Sequence, residues 1–442
     1  MAATLSAKHS VLLLERGGVP YGVSTIERVD GFHVNLLDYD NYTSVAQGYR
    51  SEDGVLSHRG RVLGGGTALN AGFYTRASRA EVAMFGWEPE LVEQGYRWVE
   101  AKVAFKPVVP EWQAALKAAM IQSGVVPDNG FTYEHLVGSK VGGTIFDPQG
   151  KRHTAADLLE YATPANTRVL IHATVHKVLF DPASVKSGKP RAVGVSYTDK
   201  LGGSHTATLA PRGEVIVSSG AVGSPQLLQL SGIGPKSELS ALGIPLVLDH
   251  PQVGQAMADN PNNVFFSAGS TEQPYSLVNV AGITEFGSYI EELSAGQNTT
   301  GLIQCFVQML KDPAKLKVSG PFSKGFLRLK TTDVRDNPIV RYNYYQHPRD
   351  LAVCVQAVKV ISKTAASGFI PPADTSNDTA LAQYCVDSVV TIWHAHGGCL
   401  VGGVVDKEHR VIGTEALRVI DISTFNSTPG ANPQATVMML GR

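Results

Sequence analysis

The sequence predicts an α/β fold in which a Rossmann-like dinucleotide-binding domain is joined to an α+β domain built on an antiparallel sheet. Short apolar runs at 10–14 and 214–218 are typical of strands buried in a parallel sheet. Residues at 326–329 and 338–345 show alternating β-branched and aromatic side chains, which favours an antiparallel sheet. With 442 residues, 43% of them hydrophobic, the chain is long enough for two domains.

The start of the chain has the pattern of the second half of a βαβ unit. Residues 1–8 form the end of a helix, residues 10–14 form a buried strand, and Glu15 follows at the carboxyl end of that strand. In a dinucleotide-binding fold an acid in this position hydrogen-bonds a ribose hydroxyl. The alternative is a solvated charge at a strand end. We find neither the first strand nor the Gly-x-Gly-x-x-Gly loop of such a unit in the sequence. The nearest match to that loop, at 232–237, follows a helical pattern where a strand is required.

The remaining elements are predicted from periodicity and turn residues. Ser224 and Pro225 are the residue types expected at the N-cap and the first position of a helix. In chain order the sequence predicts strands at 168–180 and 191–198, a helix at 224–230 and a helix at 350–366.

Composition and charge argue against several classes of function. The net charge of -1 gives no electrostatic reason to expect binding to nucleic acid or to an anionic membrane. No apolar run approaches the roughly 20 residues that a membrane-spanning helix requires, and the N-terminus lacks the layout of a signal peptide. The four cysteines include no Cys-x-x-Cys pair, which argues against a zinc site. One disulfide, for example Cys354–Cys385, is compatible with this count, but the spacing does not fix it.

Two glycine-rich segments, 60–74 and 220–234, carry the strongest functional signal. The three consecutive glycines at 64–66 let the backbone lie against a flat or anionic ligand with no side chain in the way. A tight turn could also use glycines, but three of them followed closely by Thr67 and Asn70 exceed what a turn needs. In the second segment a plain strand–turn–helix is the structural alternative, so we expect any cofactor contact there to be indirect.

A third motif, at 393–399, contains two histidines. His394 and His396 could form half of a metal site, but no third ligand has a suitable spacing, so no metal is predicted. A buried histidine is more often a satisfied core residue, and this is the interpretation for His394. His396 stands directly before two glycines, where backbone can approach a ligand, and an imidazole pKa of about 6.5 suits a general base.

Together the three motifs resemble the glucose–methanol–choline (GMC) oxidoreductase family. The resemblance implies FAD as the cofactor, a small-molecule alcohol as the substrate and an extracellular or secretory location. The stretches most similar to the plant branch of the family, which contains HOTHEAD-like proteins and mandelonitrile lyases, are 61–76, 131–158, 220–235 and 391–442. The residues that the resemblance implies as FAD contacts are Glu15, Arg61, Gly64, Gly65, Thr67, Asn70, Val175, Gly220, Asp421, Pro433 and Gln434.

The same resemblance implies the catalytic roles. His396 is the expected base for the substrate hydroxyl, and Asn432 is the expected hydrogen-bonding partner of the substrate oxygen, although an asparagine cannot shuttle a proton. A structural asparagine before a proline is the alternative for Asn432. Ile422 replaces the glycine that the family carries beside Asp421, and we expect a β-branched side chain to crowd the flavin pyrophosphate there.

The implied organisation is an FAD-binding domain at 1–255, a substrate-binding domain at 256–393 and a return to the FAD-binding domain at 394–442. Relative to the family, we expect the chain to be truncated at its N-terminus; no oligomeric state is predicted. Three functions remain open. The first is FAD-dependent oxidation of the CH–OH group of an alcohol, with a long-chain hydroxy fatty acid implied by the likeness to HOTHEAD-like proteins. The second is hydroxynitrile lyase activity, against which Asn432 argues, and the third is a non-catalytic family member that does not hold FAD.

Overall fold

The computed structural model describes residues 1–37, 40, 42–268, 275–294, 302–309, 321–364 and 374–442. The fold is a mixture of helices and sheets, as predicted. The α-helices within these ranges are Ala2–Ser6, Ser24–Glu27, Phe32–Leu37, Arg79–Phe85, Pro89–Val103, Glu111–Gln122, Pro182–Lys186, Gly220–Leu230, Lys236–Ala241, Pro348–Thr364, Asp378–Asp387 and Gln434–Leu440. The 3-10 helices are Val29–Gly31, Gly65–Ala68, Asp157–Tyr161, Pro164–Asn166 and Ile422–Thr424. Among the described residues, no helix is both long enough and apolar enough to cross a bilayer.

Parallel strand pairs form the part of the fold predicted to bind a dinucleotide. Val11–Leu14 pairs with Thr167–Leu170, and Val215–Val217 pairs with Leu417–Val419, in both cases in parallel. The strands predicted from the apolar runs at the start of the chain and after residue 213 are thus confirmed, but their expected burial is wrong: no residue of Val11–Leu14 is buried, and only Val217 of the second strand is. Glu15 directly follows the first of these strands.

The single strand predicted at 168–180 is wrong in detail. The backbone turns at His172, which has a φ of 54°, and the region splits into Thr167–Leu170 and Thr174–Phe180. The second piece joins an antiparallel sheet whose central strand is Ala192–Thr198 and whose other edge is Ser204–Thr208.

A seven-stranded, almost entirely antiparallel sheet forms the second half of the molecule. Ala281 pairs with Glu291, and Tyr289 lies two residues before Glu291, so the three side chains share one face, here called the inner face. The inner face packs against Phe73 of the first glycine-rich segment. The strand order is Val389–Thr391, Pro261–Ala268, Leu302–Met309, Ser288–Ser294, Val280–Ile283, Gly138–Val141 and Asp128–Phe131.

The last two of these strands come from the region that the sequence assigned to the FAD-binding domain. The division at 1–255, 256–393 and 394–442 stays a prediction. The antiparallel strands predicted after residue 325 are confirmed as a three-stranded sheet of Gln255–Met257, Gly325–Arg328 and Ile339–Arg341. Shorter two-stranded pairs are Ala46–Arg50 with Leu56–Gly60, Phe73–Tyr74 with Gly143–Thr144, and Ile233–Gly234 with Leu248–Asp249.

Helix Pro348–Thr364 confirms the helix predicted at 350–366, of which 365 and 366 lie outside the described residues. A disulfide between Cys354 and Cys385 ties this helix to Asp378–Asp387, and both cysteines are fully buried. This is the pairing that the cysteine count allowed but did not fix.

The helix predicted at 224–230 begins four residues earlier, at Gly220, with Ser219 as the cap residue. Ser224 is therefore not an N-cap, and Pro225 lies inside the helix. The reason is a distant acceptor: the carboxylate of Asp421 accepts a hydrogen bond from the Gly220 backbone N–H at 2.8 Å and another from the Ser224 hydroxyl at 2.5 Å. A capping rule that considers only neighbouring residues cannot include a partner that is 201 residues away in the sequence.

Candidate active site

The glycine-rich segment 60–74 exposes bare backbone. Gly64 and Gly65 have φ values of 94° and 57°, which open the 3-10 turn Gly65–Ala68. A Cβ placed on Gly65 or Gly66 would meet no described atom within 4 Å. Because no side chain covers these two residues, their backbone can lie against a flat ligand.

Two side chains in this segment that are predicted to contact FAD already form hydrogen bonds within the protein. The Thr67 hydroxyl donates to Gly64 O at 2.7 Å and accepts from Ala155 N–H at 2.9 Å. The Arg61 guanidinium donates to Ser44 O at 2.8 Å and pairs with Asp40 at 3.0 Å. These bonds hold the segment in shape, and direct cofactor contacts by the two side chains stay predictions.

Asn70 and Gln434, far apart in the sequence, are brought together. Asn70 Nδ2 donates to Gln434 Oε1 at 2.9 Å, and Gln434 Nε2 donates to Phe73 O at 2.6 Å. The first glycine-rich segment and the C-terminal residue Gln434 thus meet in one hydrogen-bonded network, next in sequence to the exposed glycine backbone.

Arg152, which was not predicted from the sequence, stabilises this network by hydrogen bonds. Its guanidinium donates to Ile26 O at 3.0 Å, to Thr67 O at 3.1 Å and to Asn70 Oδ1 at 3.1 Å. Burial lowers the pKa of Arg152 to about 9. No motif marks this arginine, although it lies in the stretch 131–158 that resembles the family.

Next to Arg152, His153 lies between two carboxylates. Its Nδ1 is 3.0 Å from Asp157 Oδ2 and its Nε2 is 3.4 Å from Asp147 Oδ2. The hydrogen bond with Asp157, reinforced by the one with Asp147, raises the pKa of His153 above its ordinary value. The following residue, Thr154, packs against Gly64. When it is protonated, the imidazole therefore helps to hold this loop against the glycine-rich segment.

This arrangement predicts a pH-dependent stability. A pKa raised by folding contributes stability that is fully present below the unfolded pKa of about 6.5 and is lost as the pH rises through the folded pKa. Over that pH interval we expect the free energy of unfolding of wild type to fall by at most about 1 kcal/mol relative to that of His153→Gln, because solvent screens a partly exposed pair. Urea unfolding of both proteins from about pH 5 to 9 measures it; curves that stay parallel would contradict the prediction.

Glu15 lies where the ribose contact is predicted, at the end of strand Val11–Leu14. Its Oε1 accepts a hydrogen bond from Gly17 N–H at 2.7 Å, and burial raises its pKa above the ordinary value. Gly17 admits no side chain, because a Cβ there would lie 1.9 Å from Arg61 O. The strand end and the glycine-rich segment therefore touch through backbone.

Two further arginines near Glu15 were not predicted. Arg16 donates to Gln47 Oε1 at 2.6 Å, and burial lowers its pKa to about 10. Arg59 donates to Gln226 Oε1 at 2.8 Å, while its Nε and Nη2 are buried and have no hydrogen-bond partner among the described residues. Burial lowers the pKa of Arg59, and the charges of Arg16 and Arg61 lower it further. Such a concentration of positive charge fits an anionic group, such as the diphosphate of FAD.

Asp421 and Gly220 meet as well. The Asp421 carboxylate uses Oδ2 for Gly220 N–H and the Ser224 hydroxyl, and Oδ1 for Ser423 N–H at 2.8 Å. Ile422 does not project into open space but packs against the core that contains Ala221. A direct pyrophosphate contact by Asp421 stays a prediction, since both of its oxygens already accept protein hydrogen bonds.

Val175 lies on strand Thr174–Phe180, opposite Tyr197, and is half-buried. Pro433 is the cap residue of helix Gln434–Leu440. Neither position tests the predicted contacts with FAD, which remain predictions.

His396 is fully buried. Its backbone N–H and C=O pair with Ala258, its Nδ1 is 3.0 Å from His394 O, and its Nε2 has no hydrogen-bond partner in the described part of the chain. Burial, followed by the charge of Lys324, lowers the pKa of His396 well below its ordinary value. The next residue must be glycine, because a Cβ on Gly397 would lie 2.3 Å from Ala256 O.

His394, interpreted from sequence as a core residue, is buried too, and burial lowers its pKa to about 3. Its Nδ1 is 3.4 Å from Asn260 Nδ2, and Asn260 Oδ1 accepts a hydrogen bond from the Thr428 hydroxyl at 3.0 Å. Thr428 opens the loop 428–434 that carries Asn432. His394 is thus connected to that loop through one side chain.

Trp393, next to His394, belongs to a group of aromatic rings contributed by distant parts of the chain. Its Nε1 donates to His58 Nδ1 at 3.1 Å, and its ring centre is 6.4 Å from that of Phe32. His33, beside Phe32, lies 3.1 Å from the Tyr275 hydroxyl. These rings surround Trp393, the residue that precedes His394.

The loop 428–434 holds Asn432 in a defined position. Gly430 has a φ of 68° and could not carry a Cβ, which would lie 2.4 Å from Arg76 O, and Ala431 has a φ of 65°. Asn432 Nδ2 donates to Glu291 Oε2 at 3.3 Å. Its Oδ1 is buried and has no hydrogen-bond partner within the described ranges. Such an orphaned acceptor is the kind of group that a bound ligand satisfies.

No cluster of three or more His, Cys, Asp or Glu side chains suited to a metal ion occurs in the described part of the chain. The exposed glycine backbone and the arginines near Glu15 do fit a large anionic cofactor with a flat ring system.

Comparisons with known proteins identify the family of the chain. Two models of the GMC oxidoreductase family match the chain, over 43–262 and 321–441. The (R)-mandelonitrile lyase-like protein of Arabidopsis thaliana is 46% identical over 473 aligned residues, which cover 100% of this chain and 86% of the relative. Protein HOTHEAD of Arabidopsis thaliana is 42% identical, with 100% and 84% covered. Sinapyl alcohol oxidase Nec3 of Nesocodon mauritianus is 42% identical, with 100% and 85% covered.

Solved structures show the same fold at low sequence identity. Formate oxidase of Aspergillus oryzae superposes with a TM-score of 0.83 at 17% identity, covering 100% of this chain and 94% of that one. The chain therefore belongs to the GMC oxidoreductase family, whose cofactor is FAD.

Proposed function

We propose that this chain is an FAD-dependent oxidoreductase that oxidises the CH–OH group of a primary alcohol. The observation that carries the proposal is the meeting of Asn70, Gln434 and Phe73 beside open glycine backbone, with Asn432 in the adjoining loop. Bound FAD supplies the hydride acceptor. The residues of the chain hold the alcohol, remove its hydroxyl proton and keep water away.

The proton acceptor is one of two imidazoles. His396 is the base predicted from sequence, and His394 is the second candidate. One contact of His394 and two contacts of the adjacent Trp393 support His394 as the base. His394 is linked through Asn260 to Thr428. Trp393 donates a hydrogen bond to His58 and lies close to the ring of Phe32. Asn432 is the proposed hydrogen-bonding partner of the substrate oxygen.

The substrate class follows from two sources. The likeness to HOTHEAD suggests a long-chain hydroxy fatty acid, and the relative named sinapyl alcohol oxidase suggests an aromatic primary alcohol. The rings around Trp393 favour stacking with a planar group. A screen with an ω-hydroxy fatty acid and cinnamyl alcohol compares the two classes directly.

The first experiment is the visible spectrum of the purified protein. We expect near-stoichiometric flavin absorbance, and bleaching of that absorbance when an oxidisable alcohol is added without oxygen. A colourless protein that stays colourless after addition of FAD would overturn the proposal and leave the non-catalytic interpretation.

Hydroxynitrile lyase activity is the second candidate, because a lyase-like relative is 46% identical. Asn432 argues against it, since an amide cannot transfer a proton at neutral pH. Release of cyanide from mandelonitrile without bleaching of the flavin would favour the lyase over the oxidase.

We also propose that the protein passes through an oxidising compartment, because two of its four cysteines form the buried Cys354–Cys385 disulfide. Thiol titration of the denatured protein without reductant is expected to find no more than two reactive thiols per chain. Four reactive thiols would contradict the proposal.

A further inference from the structure

The chain contains four Asn-x-Ser/Thr sequons, the acceptor sequence for N-linked glycans in secreted proteins. Those that begin at Asn41 and Asn298 lie outside the described residues. Those that begin at Asn377 and Asn426 are described, and the two differ in how accessible the sequon is. Because the buried disulfide indicates an oxidising compartment, both become candidates for modification.

Asn377 is the N-cap residue of helix Asp378–Asp387, and only one end of its side-chain amide is used by the protein. Its Oδ1 accepts hydrogen bonds from the backbone N–H groups of Thr379 at 3.0 Å and Ala380 at 3.1 Å. A backbone N–H can only donate, so the atom that faces the helix must be the amide oxygen. The other end, Nδ2, forms no hydrogen bond with any described residue. Nδ2 is the atom to which an N-linked glycan is attached.

The whole sequon at 377–379 is open to solvent. Asn377, Asp378 and Thr379 are all exposed, and so are Ser376 before them and Ala380 after them. The fold therefore covers neither the acceptor amide nor the hydroxyl residue that the sequon requires.

The sequon at 426–428 is different, because only its asparagine is exposed. Ser427 and Thr428 have 1% and 4% of their surface exposed, and the Thr428 hydroxyl donates to Asn260 Oδ1 at 3.0 Å. Phe425, directly before the sequon, is also buried. A transferase reaches this sequon only if the loop unfolds, so the folded chain protects it.

We propose that Asn377 carries an N-linked glycan and that Asn426 is left unmodified. In the transfer, a bond forms between Asn377 Nδ2 and the anomeric carbon of the first sugar of a polyprenyl-diphosphate-linked oligosaccharide. The bond from that carbon to the diphosphate oxygen breaks, the diphosphate leaves with the electron pair, and Nδ2 gives up one proton. Oδ1 takes no part in this step, so the helix keeps its cap when the glycan is attached. The inference is independent of the alcohol chemistry and rests on the proposed oxidising compartment.

The test is to produce the full chain behind a secretory leader in plant cells and to map its glycans by peptide mass spectrometry. A peptide N-glycosidase acting in heavy-oxygen water converts each glycosylated asparagine into an aspartate that carries the heavy isotope, and unmodified asparagines stay unlabelled. We expect most molecules to carry the label at Asn377 and almost none to carry it at Asn426. An Asn377 that is mainly unlabelled, or an Asn426 labelled to the same extent, overturns the inference.

Two variants remove the sequon in different ways. Asn377→Asp keeps an oxygen acceptor at the N-cap, where aspartate is about as favourable as asparagine, and Thr379→Ala leaves Asn377 itself in place. Both are expected to lose the gel shift of one glycan and to keep the unfolding midpoint of enzymatically deglycosylated wild type. The matched control, Asn426→Asp, is expected to migrate like wild type. Migration of Asn377→Asp with glycosylated wild type would contradict the assignment.

Thiol titration of the same sample separates this inference from the compartment proposal. An unlabelled Asn377 overturns the inference whatever the thiol count, whereas four reactive thiols contradict only the compartment proposal, which was drawn from the disulfide. None of these readouts requires catalytic activity. A protein that oxidises no alcohol would therefore refute the proposed function and leave the assignment of the glycan unaffected.

Discussion

Replacing His394 by glutamine is expected to lower kcat by about 10²- to 10⁴-fold, the usual contribution of a general base. Glutamine keeps a hydrogen-bonding side chain but cannot take a proton. We expect the same change at His396 to cost much less, although the sequence pattern favours His396. Burial lowers the pKa of both imidazoles, that of His394 to about 3, and the charge of Lys324 lowers the pKa of His396 further, so the distinction between them rests mainly on their surroundings. His394 instead adjoins the rings and the loop that are expected to hold the substrate.

The measurement is single-turnover reduction of the flavin by the chosen alcohol, with FAD content and unfolding midpoint recorded for both variants. Reduction measured this way excludes product release and reoxidation from the comparison. A larger loss in His396→Gln would reinstate the base predicted from sequence. Equal losses accompanied by loss of FAD would show that the pair supports the cofactor site and does not act in proton transfer.

The fold was largely predictable wherever local pattern decides structure. The apolar run at 10–14 was recognisable as a strand, and Glu15 follows it as expected, but the strand is only half-buried, with Leu12 43% exposed. Helix Gly220–Leu230 was misplaced because its first N–H groups depend on Asp421, which the local sequence does not contain. The break at His172 was missed because a positive φ in a histidine leaves no clear mark in the sequence.

The residues of the candidate site likewise divide into those that the local sequence reveals and those that it does not. Gly64, Gly65 and Asn70 lie in a dense motif, so they could be selected from sequence alone. Arg152 and Glu291 could not be selected, because each forms hydrogen bonds with residues that only the folded chain brings near. Glu291 reaches Asn432 across 141 residues, and which face of its strand points inward is set by the register with Ala281.

Asp421→Ala is expected to lower the free energy of unfolding by about 3 kcal/mol. The change removes a charged acceptor from three donors at once, and each such bond contributes about 1.5–3 kcal/mol, without full additivity. It also leaves the amino end of helix Gly220–Leu230 without its negative charge. Asp421→Asn is expected to cost somewhat less, because the amide keeps one acceptor oxygen but turns its NH2 toward a donor.

Urea unfolding of the FAD-free protein separates the two roles considered for Asp421. Asp387→Ala, an exposed acid on another helix, is the control and is expected to stay within about 0.5 kcal/mol of wild type. If the carboxylate acts by holding the helix, the FAD-free variant already shows the full loss, and FAD affinity falls only as far as the helix is disturbed. If the carboxylate instead contacts the cofactor directly, the FAD-free proteins would unfold alike and only FAD affinity would drop. The three protein donors already on its oxygens argue for the first outcome.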